Sequence, residues 1–368
     1  MNPSDTIAAG RSPGALGLWV RNLLCLLVPA FSVVHLWTGP HAWPTALGFL
    51  LAILSLELLE RIPLRATAPP PPPEQLPGAP FIALLYVFAA LQFTNIALLC
   101  DRLSQMSFAH LDTYVAIVWA TAASSGAIVL AHELIHRPPR GDFLLGRLLL
   151  TTVLYEHFAT EHVRGHHPRV GTEADPATAR FGERFWPFFR RTVPGQFRSA
   201  LALETTRLQL GGVAPLHPRW LRHRVVQGLA VQLAMLVAIA VYFGPVALFG
   251  FVLQAIIAVI SLEAVNYFEH WGLARTGKTV ESHHSWDCDS WFTQYSLVGL
   301  SRHADHHRYA SKPFYRLELH AEAPMLPVSY GLMVNTVLFQ NDKAMKQMTE
   351  ELGRRGLLPA DTDPAPAE

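Results

Sequence analysis

Along this chain the apolar residues come in long, nearly unbroken blocks, with polar residues crowded between them. A helix needs about 20 mainly apolar residues to cross a bilayer. Six blocks approach or reach that length, at about residues 18–37, 43–59, 81–100, 111–131, 225–243 and 246–265. Arg21 near the start of the first block is expected at the membrane interface. Residues 1–17 lack a signal-peptide cleavage pattern, so the first block reads as a retained span. A shorter block at 143–158 carries Arg147 and Glu156 and predicts an interfacial or protein-buried helix. Were it a seventh span, the polar clusters on either side of it would face opposite sides of the membrane. Residues 68–74 are a proline run that favours an extended polyproline spacer. The pattern predicts an all-α, six-transmembrane helix bundle forming one domain over residues 1–358, with a disordered tail at 359–368.

Composition agrees with a membrane protein. Hydrophobic residues make up 51% and charged residues only 15%, against roughly 25% charged in soluble domains; mean hydropathy is +0.23. A net charge of +1 gives no basic field, so no nucleic-acid partner is expected. Of 29 lysines and arginines, 14 lie between Arg137 and Arg224 and 10 between Arg275 and Arg355. With six spans both basic segments fall on one side, and positive charge marks that side as the cytoplasm. Cys25, Cys100 and Cys288 stand alone, which argues against a disulfide framework or a thiolate metal site.

The chemistry lies in histidines. His132 and His136 close the fourth block, His162, His166 and His167 form a second cluster, and His303, His306 and His307 a third, with His270 in a shorter piece. Three pairs are four residues apart and would share a helix face. Nine imidazoles are too many for one zinc and suit two metals with four or five nitrogens each, leaving room for oxygen. The carboxylates Glu133, Glu161, Glu269, Asp175 and Asp305 are candidates to accept the second ring N–H of a metal-bound histidine and fix its tautomer, with Asp305 and Glu269 the favoured pair. His157, His283 and His284 sit near the clusters. His35, His41, His110, His217, His223 and His320 read as interface or surface residues. Two other classes use histidines like these. His132-Glu133-Leu134-Ile135-His136 alone fits a membrane zinc protease with Glu133 as base, but leaves the other clusters without a role. A metal transporter would more naturally carry low-complexity histidine loops.

These clusters resemble those of the membrane fatty acid desaturase/hydroxylase superfamily. Within it, Asn266-Tyr267-Phe268-Glu269-His270-Trp271-Gly272-Leu273 is similar to the signature of integral-membrane alkane 1-monooxygenases. Glu161-His162-Val163-Arg164-Gly165-His166-His167, running on to Phe185-Trp186, and Arg302-His303-Ala304-Asp305-His306-His307, followed by Ala323-Pro324-Met325-Leu326-Pro327, agree. The chain departs from that pattern at Ile135, Arg137, Trp271 and Ser301, none of them an expected ligand. The resemblance implies a cytoplasmic, non-haem di-iron centre with two Fe, held by His132, His136, His162, His166, His167, His270, His303, His306 and His307. It implies hydroxylation of the terminal methyl of medium-chain alkanes with O₂, using electrons from rubredoxin and its reductase, in a bacterial inner membrane. Hydroxylation of aromatic-ring methyl groups, as in xylene monooxygenase, and fatty-acyl desaturation or hydroxylation are the neighbouring activities. An apolar tunnel open to lipid would admit the substrate, and Arg184, Arg190, Arg191 and Arg198 could dock an acidic electron carrier by charge.

Overall fold

The computed structural model describes residues 13–215 and 217–359, so the expected tail lies, from residue 360 on, outside the described residues. Among the described residues there is no strand, only two isolated bridges between extended segments. Ten of the helices among the described residues place the site. They are α1 (Ala15–Thr38), α2 (Trp43–Glu60), α3 (Gly78–Ser104), α4 (Leu111–His136), α5 (Arg140–Thr151), α6 (Phe185–Arg207), α7 (Arg224–His270), α8 (His303–Arg308), α9 (Tyr330–Phe339) and α10 (Asn341–Arg355). Several shorter turns connect them.

Five of these helices are long and apolar enough to cross a membrane: α1, α2, α3, α4 and α7. The last contains the blocks expected as two separate spans. It is 47 residues long but breaks at Gly244, whose φ of +82° is open to glycine and costly for other residues, with Pro245 following. The break is a reversal. Gln232 accepts a hydrogen bond from Glu156 N–H at 3.3 Å, and Gln254 donates to the Thr152 carbonyl at 2.9 Å. A straight helix would hold residues 232 and 254 about 33 Å apart, whereas Thr152 and Glu156 are four residues apart in a tight turn. The two halves of α7 therefore lie side by side. Gly228 makes this possible, because a side chain there would collide with Glu156.

Leu51, Leu54 and Leu58 on α2 and Leu233, Val237 and Val241 on α7 are exposed. Contiguous apolar surface of this kind marks a face turned to lipid. Polar residues in the bundle are paired inward instead. Gln92 donates to Ser124 at 2.9 Å, and Asn95 donates to the Pro29 carbonyl at 3.0 Å. The ambiguous 143–158 block resolves into α5, packed along α4, followed by turns; Leu149 and Leu150 are fully buried while Leu144 and Leu148 are exposed. It is a protein-packed helix, as its charges suggested. The three cysteines are buried.

Candidate metal centre

α3 and α4 run past the ends expected from hydropathy, and the extension of α4 carries His132 and His136 on the same helix as the apolar block. Ala123 and Ala127 are fully buried, and at Gly126 an added methyl would stand 3.0 Å from the Phe88 ring. These small residues let α3 approach α4 closely. The second cluster sits on a short helix, residues 158–169, that widens to a π-turn at His162–His166. The third forms α8. Its second residue, Ala304, donates its N–H to Asp287 Oδ1 at 2.8 Å, and buried Arg302, just before it, donates to the carbonyls of Cys288 and Ala66.

The nine histidines converge in two groups. His132, His136, His162, His167 and His306 form one, and His166, His270, His303 and His307 the other; within each group one ring nitrogen from each histidine lies within 4.8 Å of those of the others. Rings of the two groups touch, His167 stacking on His307 at 4.3 Å. Two of the three expected four-residue pairs stay together. The third does not: the π-turn, bonding to the fifth residue, puts His162 with His167 and sends His166 to the other group. Only His136 and His167 are partly exposed.

The donor set fits metal ions. His162 Nε2 faces His167 Nε2 at 3.0 Å, His270 Nε2 faces His303 Nε2 at 3.1 Å, and His166 Nε2 faces His307 Nε2 at 3.3 Å. Two nitrogens bound to one metal at about 2.1 Å, with an angle between 90° and 110°, stand about 3.0–3.4 Å apart. Nε2 of His132, His136 and His306 is buried with no hydrogen-bond partner, a costly arrangement unless a cation takes the lone pairs. Burial pushes His162, His167, His303, His306 and His307 well below the ordinary imidazole pKa, keeping them in the neutral form that ligates metal.

The carboxylates divide differently from expectation. Asp175 Oδ2 accepts from His166 Nδ1 at 2.8 Å and from Thr178 Oγ1 at 2.6 Å, and Oδ1 accepts from Ala177 N–H at 3.1 Å. Burial opposes the charge on Asp175, but the neighbouring His166 outweighs it and holds the carboxyl below its usual pKa. Asp305, one of the two favoured, touches none of the nine. It accepts from Lys312 at 2.7 Å, His320 at 2.8 Å and Glu318 N–H at 2.9 Å, because α8 turns it away from the rings it separates in sequence. Glu269 is at the site, but Oε2 approaches His303 Nε2 at 3.3 Å, the nitrogen that faces His270, and Tyr330 O–H donates to Oε1 at 2.9 Å. It stands beside the nitrogen cluster rather than behind a ring. Glu161 accepts from Arg169 at 2.9 Å, and burial raises its pKa to about 7. Glu133 is buried and accepts from Phe314 N–H at 3.4 Å.

Other histidines also depart from the expected pattern. His35 is buried against Asp112 Oδ1 at 2.8 Å, His223 is buried at the start of α7, and His320 is the partner of Asp305. His284 reaches the site through its carbonyl, 3.4 Å from His270 Nδ1, while His157 packs on Tyr155 and Phe197 outside both groups. Asp287, Tyr330 and Arg302 went unrecognised in the sequence. Only Arg302, next to a cluster, carried a local signal.

A cavity of about 340 Å³ meets the centre at His132, His162 and His303 and is otherwise walled mostly by apolar side chains, among them Val28, Phe88, Val129 and Leu262. It follows α4 from Ala122 to His132, about 15 Å of helix. That volume falls at the lower end of small-molecule pockets.

Comparison with known proteins agrees with this geometry. Residues 112–335 match the fatty acid desaturase family. The chain is 34% identical over 269 residues to an alkane 1-monooxygenase of Acinetobacter baylyi, covering 71% of this chain and 65% of that protein. It is 29% identical over 338 residues to alkane 1-monooxygenase 2 of Pseudomonas aeruginosa, covering 88% of each. A more distant match, 25% identical over 214 residues and covering 58% of this chain and 57% of the relative, is the xylene/toluene monooxygenase hydroxylase component of Pseudomonas putida. The match to the first of these thus spans just under two thirds of the relative's length.

Proposed function

The chain belongs to the fatty acid desaturase family, and from that premise we propose that it is a non-haem di-iron monooxygenase that hydroxylates the terminal methyl of medium-chain alkanes. The observation that carries the reading is the meeting of a nine-histidine, two-group nitrogen cluster with one end of an apolar cavity. The five-histidine group would hold one iron and the four-histidine group the other. When bound, the irons supply the activation of O₂. The chain's own residues do the rest. Asp175 keeps the His166 proton on Nδ1, so that Nε2 stays free to ligate. The cavity wall binds a substrate that has no polar handle, at about 0.8 kcal/mol per buried CH₂. Its end at His132, His162 and His303 presents a terminal carbon, and no other, to the site, so selectivity is positional.

In this reading the two halves of α7 complete six crossings, with the centre on the cytoplasmic side of a bacterial inner membrane. Rubredoxin, itself reduced by its reductase, supplies electrons. Of the four arginines considered for docking, Arg184 is paired with Asp342 at 2.7 Å and Arg191 with Glu183 at 2.7 Å. Exposed Arg190 and Arg198 are the better candidates. The elongated cavity favours a linear substrate over a ring. The test is direct: purified protein should hold about two irons and convert octane to 1-octanol with O₂ and a reducing system. Oxidation of xylenes but not alkanes would transfer the assignment to aromatic methyl groups, and a single zinc without oxidation would refute it.

A further inference from the structure

Alkane chemistry leaves one part of the cavity unexplained. Its wall includes Glu57 and Glu60 of α2 and Asn335 of α9, well-separated in sequence from any histidine cluster. Glu57 Oε1 accepts from Asn335 Nδ2 at 2.8 Å, and Glu60 Oε2 accepts from Thr293 Oγ1 at 3.2 Å. Glu60 also accepts from the Ser329 side chain and the Gly331 N–H, so the donors to the two carboxylates are amides and hydroxyls, not a cation. Both stand in the last turn of α2 and are partly exposed, and a carboxylate has about four lone-pair sites, so acceptor capacity remains on the cavity wall. An alkane cannot use it, because it has nothing to donate.

The polar wall is continuous with the centre. Thr293 Oγ1 also accepts from Tyr330 N–H at 3.3 Å, and the Tyr330 hydroxyl donates to Glu269, beside His303. At Gly331 an added methyl would lie 3.2 Å from Glu60 Oε1, so α9 must be slim where it meets α2. α2 itself is thinly packed, with Ala46 its one buried residue among those described. A seam bounded by acceptors on one side and lipid on the other thus leads away from the histidines.

We propose that Glu57, Glu60 and Asn335 form a seat for the hydroxyl of a medium-chain primary alcohol, giving the oxidised chain a foothold at the α2–α9 seam between the centre and the bilayer. The chain of the alcohol occupies the apolar cavity and its O–H donates to a carboxylate. This rests on the proposed function for the identity of the alcohol, but not for the existence of the seat.

Full-length protein in nanodiscs is titrated calorimetrically with 1-octanol and with 1-methoxyoctane, which has the same chain and no donor, each corrected for partition into empty nanodiscs. A hydrogen bond from the alcohol to one of these acceptors predicts up to about tenfold tighter binding than the ether. The preference should collapse in Glu57→Leu/Glu60→Leu and persist in Glu57→Gln, which keeps an acceptor. Equal affinities in the wild type overturn the seat without reliance on any variant, and so does a preference that survives the double leucine variant. If octane is oxidised but no preference exists, the seat alone falls. If the preference exists but iron-loaded protein oxidises no alkane, the proposed function falls and the seat stands.

Discussion

Asp175→Asn isolates the one of the five candidate carboxylates that stands behind a histidine ring. Asp175 receives three donors: His166 Nδ1–H, Thr178 O–H and Ala177 N–H. A carboxamide offers one oxygen. If that oxygen keeps Ala177, the new NH₂ confronts His166, which must then carry its proton on Nε2. That nitrogen faces His307 at 3.3 Å and can no longer ligate. If the oxygen keeps His166, the NH₂ meets the Ala177 N–H and the loop must shift. Either way the four-histidine group is weakened. Losing such a partner typically costs 10–100-fold in metal affinity or activity, or about 1.4–2.7 kcal/mol. The assay is iron content per chain against a graded chelator series, with alkane turnover measured on the same samples. One iron should leave early and the other stay. Asp305→Asn is the control: it breaks contacts to Lys312 and His320 and should lower the melting temperature while retaining iron affinity. Wild-type iron retention in Asp175→Asn, or early iron loss only in Asp305→Asn, would refute the reasoning.

Four further outcomes follow from the same geometry. His270→Ala should abolish turnover and release the metal of the four-histidine group first; a fully active variant would remove His270 from the ligand set. Gly228→Leu should prevent the first half of α7 from seating against Glu156, which overpacking puts at about 1–3 kcal/mol or more, read as a lost or lowered unfolding transition in detergent. On pH, His162, His167, His303, His306 and His307, all pushed well below the ordinary value, stay neutral in the fold while the unfolded chain protonates near 6.5. The unfolded state therefore binds more protons below that value; Glu161, raised to about 7, works the other way but is outnumbered, so stability should fall as pH drops through 6.5 and below. A melting temperature that rises on acidification over this range would contradict it. Arg190→Glu/Arg198→Glu should slow reduction by rubredoxin and spare turnover with a small chemical reductant; equal loss with both would end the docking idea.

Much of this protein is legible in one dimension. Unbroken apolar blocks dictate membrane helices because a backbone in lipid must satisfy its own hydrogen bonds, and the blocks at 43–59, 81–100 and 111–131 appear as α2, α3 and α4, with longer ends. The nine histidines are legible too, since short clusters of one ligand type are a local signal. What each one does is not. Helical spacing pairs His162 with His166, yet a π-turn repartners them, and a single inserted residue per turn leaves no mark in residue type. Adjacency recommends Asp305, but a side chain between two ligands on one helix must point off their face, and the carboxylate that holds a ring comes from Asp175, nine positions from its His166 partner. The reversal at Gly244 lies where hydropathy divides two blocks, but only Glu156 and Thr152, meeting both halves, reveal it as a hairpin. Composition thus determined the solvent, the helices and the metal-binding chemistry. The tertiary structure decided which nitrogens share a site, which acids orient them and where the cavity turns polar, because those depend on contacts between segments far apart in the chain.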